Sequence, residues 1–183
     1  MQSIIKDKLK RIKNKNILVQ KKHLFELTNC KNTLGIITNC LDLSSICSYA
    51  RPAYDYRKVT NLLETNNIFY FINNFNYGYC HEISFFMKYL LKLHKIKARI
   101  VRLYSKKIRF HWVLEIKFKN RWIFADPTFG ILLRSKINKK FIGIKELKKL
   151  KIKDVLWNKR FSLKKFSNLE KNSLFYFKKK KTF

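Results

Sequence analysis

Between Arg109 and Asp126 the chain carries the pattern that most narrows its fold, a hairpin whose register can be read from the sequence. Trp112, Leu114, Ile116 and Phe118 alternate with His111, Val113, Glu115 and Lys117, which predicts a strand with one strongly apolar face. Lys119-Asn120 fits a two-residue turn, and Arg121 to Asp126 the return strand. Phe118 then faces Arg121, Val113 lies opposite Asp126, and His111 lies opposite Thr128. His111 and Asp126 share one face as diagonal neighbours, with backbones about 7–8 Å apart; a slip of one residue would put them on opposite faces. A carboxylate so placed can hold one tautomer of the imidazole and leave the other ring nitrogen to act on a third group. Taken singly, a strand histidine and an Asp-Pro turn have ordinary structural explanations.

The third group is expected at Cys80. Asn73-Asn74-Phe75-Asn76-Tyr77-Gly78 reads as a loop, followed by Ile83, Phe86, Met87, Leu90, Leu91 and His94 at helical spacing. Cys80 therefore opens a helix, where the positive end of the macrodipole favours thiolate over thiol, and Gly78 lets the backbone approach a substrate carbonyl. A small buried cysteine is the plain alternative for Cys80 alone. A thiol, an imidazole and a carboxylate on three successive elements instead suit covalent chemistry on an amide or ester carbonyl.

These residues resemble the transglutaminase-like superfamily, whose core is papain-like. The resemblance is carried by Gly78-Tyr79-Cys80 at a helix start, Ala98-Arg99-Ile100-Val101 on a strand, His111 with Glu115 four residues on, and Trp122 with Asp126-Pro127-Thr128. Trp112 directly follows the histidine, where the family usually places its tryptophan one position later. The resemblance implies an α+β fold in which the helix bearing the cysteine packs on an antiparallel sheet bearing the other two residues. It also implies Cys80 as nucleophile, His111 as general base and acid, and Asp126 as orienting carboxylate, acting through a thioester with no cofactor. The oxyanion would be held by the Cys80 backbone N–H and one of Asn74, Asn76 or Tyr77. The acceptor would decide between hydrolysis or deamidation and transfer to an amine, on a protein, peptide or small amide substrate. An arylamine-acetyltransferase-like enzyme uses the same residue types, but its usual Arg-Gly-Gly approach to the cysteine is missing here. A basic binding module that keeps the fold without activity is the reading from another class.

His81 and Glu82 adjoin the thiol and could tune it; first-turn residues more often complement the helix end, and neither is placed in the machinery. Glu115 is expected to face the site or solvent with His111, or to pair with a nearby lysine. Trp122, on the Asp126 face by alternation, either shields the ion pair or is ordinary core.

The remaining sequence reads as housing. At 183 residues, with 46% hydrophobic residues and 16 Phe, the chain is long enough for one domain with a real core. Its expected parts are a helical stretch over 1–53, the core over 54–130 and an extension over 131–183 ending in the basic run Lys178 to Lys181. Ile4, Ile5, Leu9, Ile12, Leu24 and Leu27 predict one or two amphipathic helices. Cys30 to Ala50 reads as short-patterned, broken by Asn32, Gly35, Asn39 and Ser44-Ser45, with Cys40 and Cys47 on one buried helix face. Arg51-Pro52 reads as a boundary. Residues 54–72 are expected to be helical, with Ile68 to Phe71 an alternative strand, Gly143 to Leu147 a short helix, and Asp154 to Phe166 a packed segment.

The formal charge of +31 favours anionic partners. Because the basic residues are spread along a chain rich in Lys, Asn, Ile and Phe and poor in Gly and Pro, the charge reads mainly as compositional. Weak polyanion binding is the partner it would support. No run approaches the roughly 20 apolar residues of a membrane span, and the N-terminus lacks a leader's apolar run. Four cysteines without a Cys-x-x-Cys pair indicate neither a zinc site nor a disulfide framework, and a reducing cytoplasm is the simplest expectation.

Overall fold

The computed structural model describes residues 2–14, 18–46, 68–69, 72, 80–103 and 111–159. Three helices come first: α1 (Gln2–Asn14), α2 (Lys21–Thr28) and α3 (Thr33–Ile46). Helix α4 (Cys80–Leu93) leads into strands β1 (Ala98–Leu103), β2 (His111–Phe118), β3 (Arg121–Asp126) and β4 (Ile131–Ser135). A short helix α5 (Ile144–Leu147) and a 3-10 turn (Ile152–Asp154) precede β5 (Val155–Lys159). The strands form one antiparallel sheet in the order β1-β2-β3-β4-β5, each paired with its neighbour in sequence. The architecture is therefore α+β, as expected. No helix among the described residues is long and apolar enough to cross a membrane.

The β2–β3 hairpin has the expected register, with Phe118 opposite Arg121 and Leu114 opposite Ala125. Lys119 and Asn120 both take positive φ, 45° and 61°, the backbone that a tight turn between right-twisted strands requires. The Lys117 ammonium donates to the Asn120 carbonyl at 2.8 Å and helps hold it.

One expectation about β2 is corrected. The strand does not have a single apolar face, because Val113, Leu114, Glu115 and Ile116 are all buried. Leu114 and Ile116 join Ile123, Ala125 and Leu132 against Ile83, Phe86, Met87 and Leu90 of α4, with α1–α3 behind. On the far face Val113, Phe124, Leu103 and Leu133 pack with Ile142, Leu147 and Val155 in a second cluster. The chain after β4 supplies that cover. Beyond Asp126↔Ile131 and Ala125↔Leu132, Ile142 enters between the strands. Its N–H donates to the Leu133 carbonyl at 3.1 Å, and its own carbonyl accepts from Phe124 N–H at 2.8 Å.

The stretch 30–50 departs furthest from its reading. Its supposed breakers lie at or within α3, a 14-residue helix whose Ile37, Cys40, Leu41 and Leu43 are buried. Asn32 caps it, its Oδ1 accepting from Gly35 N–H at 2.8 Å. A Cβ on Gly35 would lie 2.2 Å from Cys30 Sγ, so glycine there permits a close approach. Ser44 and Ser45 donate back to the carbonyls of Cys40 and Asp42, at 2.7 and 3.0 Å, which lets hydroxyls sit inside a buried helix. Cys40 is buried as expected, and burial pushes its thiol up to about 12, an inert group.

The amphipathic readings of α1 and α2 agree with the buried Ile5, Leu9, Leu24 and Leu27, and the short helix at Ile144 is present. His94 follows α4, where its Nε2 meets Thr28 Oγ1 at 2.7 Å and its ring stacks on Phe25. Cys47, the Arg51-Pro52 boundary, most of the 54–72 segment, the loop from Asn73 to Gly78, the residues beyond Lys159 and the terminal lysines lie outside the described residues.

Candidate active site

Three elements meet at the ends where they begin or stop. Cys80 is the first residue of α4, His111 the first of β2 and Asp126 the last of β3. By alternation His111 lies on the sheet face turned away from α4. It reaches the thiol because both residues open their elements, so the ring meets Cys80 around the strand end. Ser84, one turn into α4, donates its hydroxyl to the Trp112 carbonyl at 3.1 Å. That bond fastens the helix carrying the thiol to the strand carrying the imidazole.

His111 and Asp126 are both buried. The imidazole Nε2–H donates to Asp126 Oδ2 at 2.8 Å, which leaves Nδ1 for the thiol. The other carboxylate oxygen, Oδ1, accepts from Thr128 N–H at 3.0 Å and from Phe129 N–H at 3.3 Å. The carboxylate is thus held on one side by the turn after β3 and holds the imidazole on the other. Phe129 also covers the imidazole, ring centres 5.3 Å apart. It occupies the shielding place considered for Trp122. The Trp122 ring instead lies under the Arg99 guanidinium at 4.4 Å, with the Lys117 ammonium 5.6 Å away.

The electrostatics follow from these contacts. Burial pushes the Cys80 thiol up, but hydrogen bonds with His111 and His81, the His111 charge and the Trp112 backbone outweigh it and bring the thiol down to about 7. Burial alone would lower His111, but the Asp126 charge and hydrogen bond, with smaller contributions from Cys80, raise it to about 10. Thiolate and imidazolium therefore coexist near neutral pH.

Glu115 stands apart from this chemistry. Its Oε2 accepts from Arg99 Nη2 at 2.7 Å and Nε at 3.0 Å, and its Oε1 from Ile144 N–H at 2.9 Å. Its partner is thus an arginine across the β1–β2 register and not a nearby lysine. A Cβ on Gly143 would come within 2.6 Å of the Trp122 carbonyl and 3.0 Å of Glu115 Oε1, so glycine is required for this corner to close.

Sequence reasoning passed over Ser84, which could have been found as the residue one turn beyond Cys80 on the same helical face. His81 was noted for its place beside the thiol and set aside as a residue complementing the helix end. The oxyanion donors Asn74, Asn76 and Tyr77 lie outside the described residues. Among the described residues no group of His, Cys, Asp and Glu could hold a metal ion.

Comparison with known proteins gives one family and one solved structure. The structure, from Cytophaga hutchinsonii and described as a candidate cysteine protease, shares 16% identity at a TM-score of 0.40. The match covers 58% of this chain and 36% of the other, so the chain spans about a third of that protein's length. No curated protein matches. The model of the transglutaminase-like superfamily matches residues 36–127, half of the chain. Cys80, His111 and Asp126 all fall within that span, and the chain belongs to the transglutaminase-like superfamily.

Proposed function

We propose that this protein is a cysteine-dependent enzyme of acyl transfer or amide hydrolysis, with Cys80 as nucleophile, His111 as general base and acid, and Asp126 as orienting carboxylate. The observation that carries the proposal is the buried imidazole held through Nε2 by Asp126 at 2.8 Å, with the thiol as its other partner. His111 takes the thiol proton, and the Cys80 sulfur attacks an amide or ester carbonyl. The tetrahedral adduct collapses as the imidazolium returns that proton to the leaving amine or alcohol, and a thioester remains. Neutral His111 then removes a proton from the acceptor, whose oxygen or nitrogen attacks the thioester. Water gives a carboxylic acid, an amine gives a new amide, and in both cases the thiolate leaves and the imidazolium is restored. Asp126 keeps Nε2–H fixed throughout, so the reactive nitrogen stays aimed at sulfur.

The test is transfer from an activated aryl ester, followed by intact mass and peptide mapping. Wild type should gain one acyl group on Cys80 that hydroxylamine removes. Cys80→Ala should gain none there, and His111→Ala should acylate at least about a hundredfold more slowly, given the usual contribution of a general base. A wild-type protein that takes no acyl group at Cys80 would overturn the proposal.

A further inference from the structure

His111 is not the imidazole nearest to Cys80 in the chain. His81 follows the thiol directly in the first turn of α4, with 15% of its side chain exposed. Its Nε2 lies 2.8 Å from Oε1 of Glu82, whose side chain is 3% exposed. A helix-end charge that merely complements the macrodipole has no need of burial; Glu82 is buried beside the His81 imidazole. The Trp112 ring stands against His81 from β2, centres 6.3 Å apart, and the next turn of α4 adds Phe85 against the same indole. Cys80 has hydrogen bonds with two imidazoles, His111 and His81, and each imidazole lies beside a buried carboxylate, Asp126 and Glu82.

We propose that His81, oriented by Glu82, is a second imidazolium held against the Cys80 sulfur, sharing with His111 the work of keeping it a thiolate. This rests on the reading of Cys80 as the nucleophile and adds a positioning residue to it. His111 alone moves protons to and from the reacting groups, and His81 keeps its own. The groups facing His81 are Cys80 and Glu82 on α4 and Trp112 on β2. From β1 the Arg102 guanidinium stands 5.8 Å from the same indole. Burial lowers His81, but hydrogen bonds to Cys80 and Glu82, and then their charges, raise it to about 9. It therefore stays cationic across the range in which the thiol ionises.

The consequence is that removing His111 does not remove the whole electrostatic advantage. The experiment is the rate of Cys80 alkylation by iodoacetamide against pH, with labelling located by mass spectrometry. Wild type, His81→Gln, Glu82→Gln, His111→Ala and the His81→Gln/His111→Ala double variant are compared. In His81→Gln the midpoint should move up by about one pH unit, a roughly tenfold loss of labelling rate on the acid side. Glu82→Gln keeps the imidazole and should shift the midpoint the same way by less, which guards against misreading a misfolded His81 variant. His111→Ala should stay below an ordinary thiol, and only the double variant should reach one. If wild type labels early and both His81→Gln and Glu82→Gln superimpose on it, the role of His81 is overturned and the nucleophile reading stands. If wild-type Cys80 titrates as an ordinary thiol near 8.5, both are overturned.

Discussion

Strand β2 contributes a buried residue to each of two ion pairs on the same face of the sheet, one enclosed on both sides and one with a half-exposed cation. At its first residue, His111 bonds Asp126 on β3; four residues on, Glu115 bonds Arg99 on β1. In the second pair the cation is a guanidinium, which never gives up its proton. Arg99 leaves half its side chain exposed, rests on Trp122, and binds a carboxylate that also caps Ile144 N–H. That pair fixes β1, β2 and the α5 corner in one register. In the first pair the cation is an imidazole, which can lose its proton, and it stands beside a thiol. A permanent charge suits a clamp and a removable one suits a proton carrier. The same strand carries both kinds of cation partner, and on the proposed function the identity of the cation separates architecture from chemistry.

The sharpest way to break this comparison is Asp126→Asn. The amide oxygen could still accept from Thr128 and Phe129 N–H, so the turn should survive while the amide NH2 imposes the wrong tautomer on His111. Steady-state turnover should fall by about 10⁴ with the urea midpoint nearly unchanged. Glu115→Ala should do the reverse. It orphans the Arg99 fork and Ile144 N–H, and should cost about 2–3 kcal/mol by urea unfolding, with turnover per folded molecule within about twofold. A fall in turnover to match that of Asp126→Asn would end the division of labour between the pairs.

The pH profile separates the pairs without a mutation. The Cys80 thiol is lowered to about 7, so the thiolate is lost as pH falls through that value. His111 is raised to about 10, so the imidazolium is lost as pH rises through that value. Turnover should form a plateau between those limits and fall about tenfold per pH unit on the acid side. Variants at Arg99 or Glu115 should leave both arms in place. The smallest expected effect is Arg99→Lys, which keeps the charge but loses the fork and the stacking on Trp122. It should cost about 1 kcal/mol.

The hairpin was legible in the sequence because a two-residue loop and strand parity leave one register, and that register places His111 diagonal to Asp126. Helix α3 was not, because Asn32, Gly35, Ser44 and Ser45 look like breakers when counted singly. Each proved compatible with a helix for a separate reason: a cap, a close approach to Cys30, and two back-bonded hydroxyls. Strand β4 was hidden because Ile131, Leu132 and Leu133 are all buried and so show no alternation to read. The partner of Glu115 was missed by looking for a neighbouring lysine; the β1–β2 register, which the sequence reading did not derive, places Arg99 opposite it. His81 was set aside because first-turn residues more often complement a helix end than act on a neighbour.

Asp126 has a bearing on where a working fragment could be cut. Its Oδ1 is held by the N–H groups of Thr128 and Phe129, and Phe129 lies over the imidazole. The turn ends at Gly130, in the left-handed region at φ 62°, and delivers the chain to β4. A piece ending at Pro127, the last residue of the family match, would contain the thiol, the imidazole and the carboxylate. It would lack both anchors that aim the carboxylate and the ring that covers its partner. A unit that keeps both anchors therefore reaches beyond Asp126 to at least Phe129.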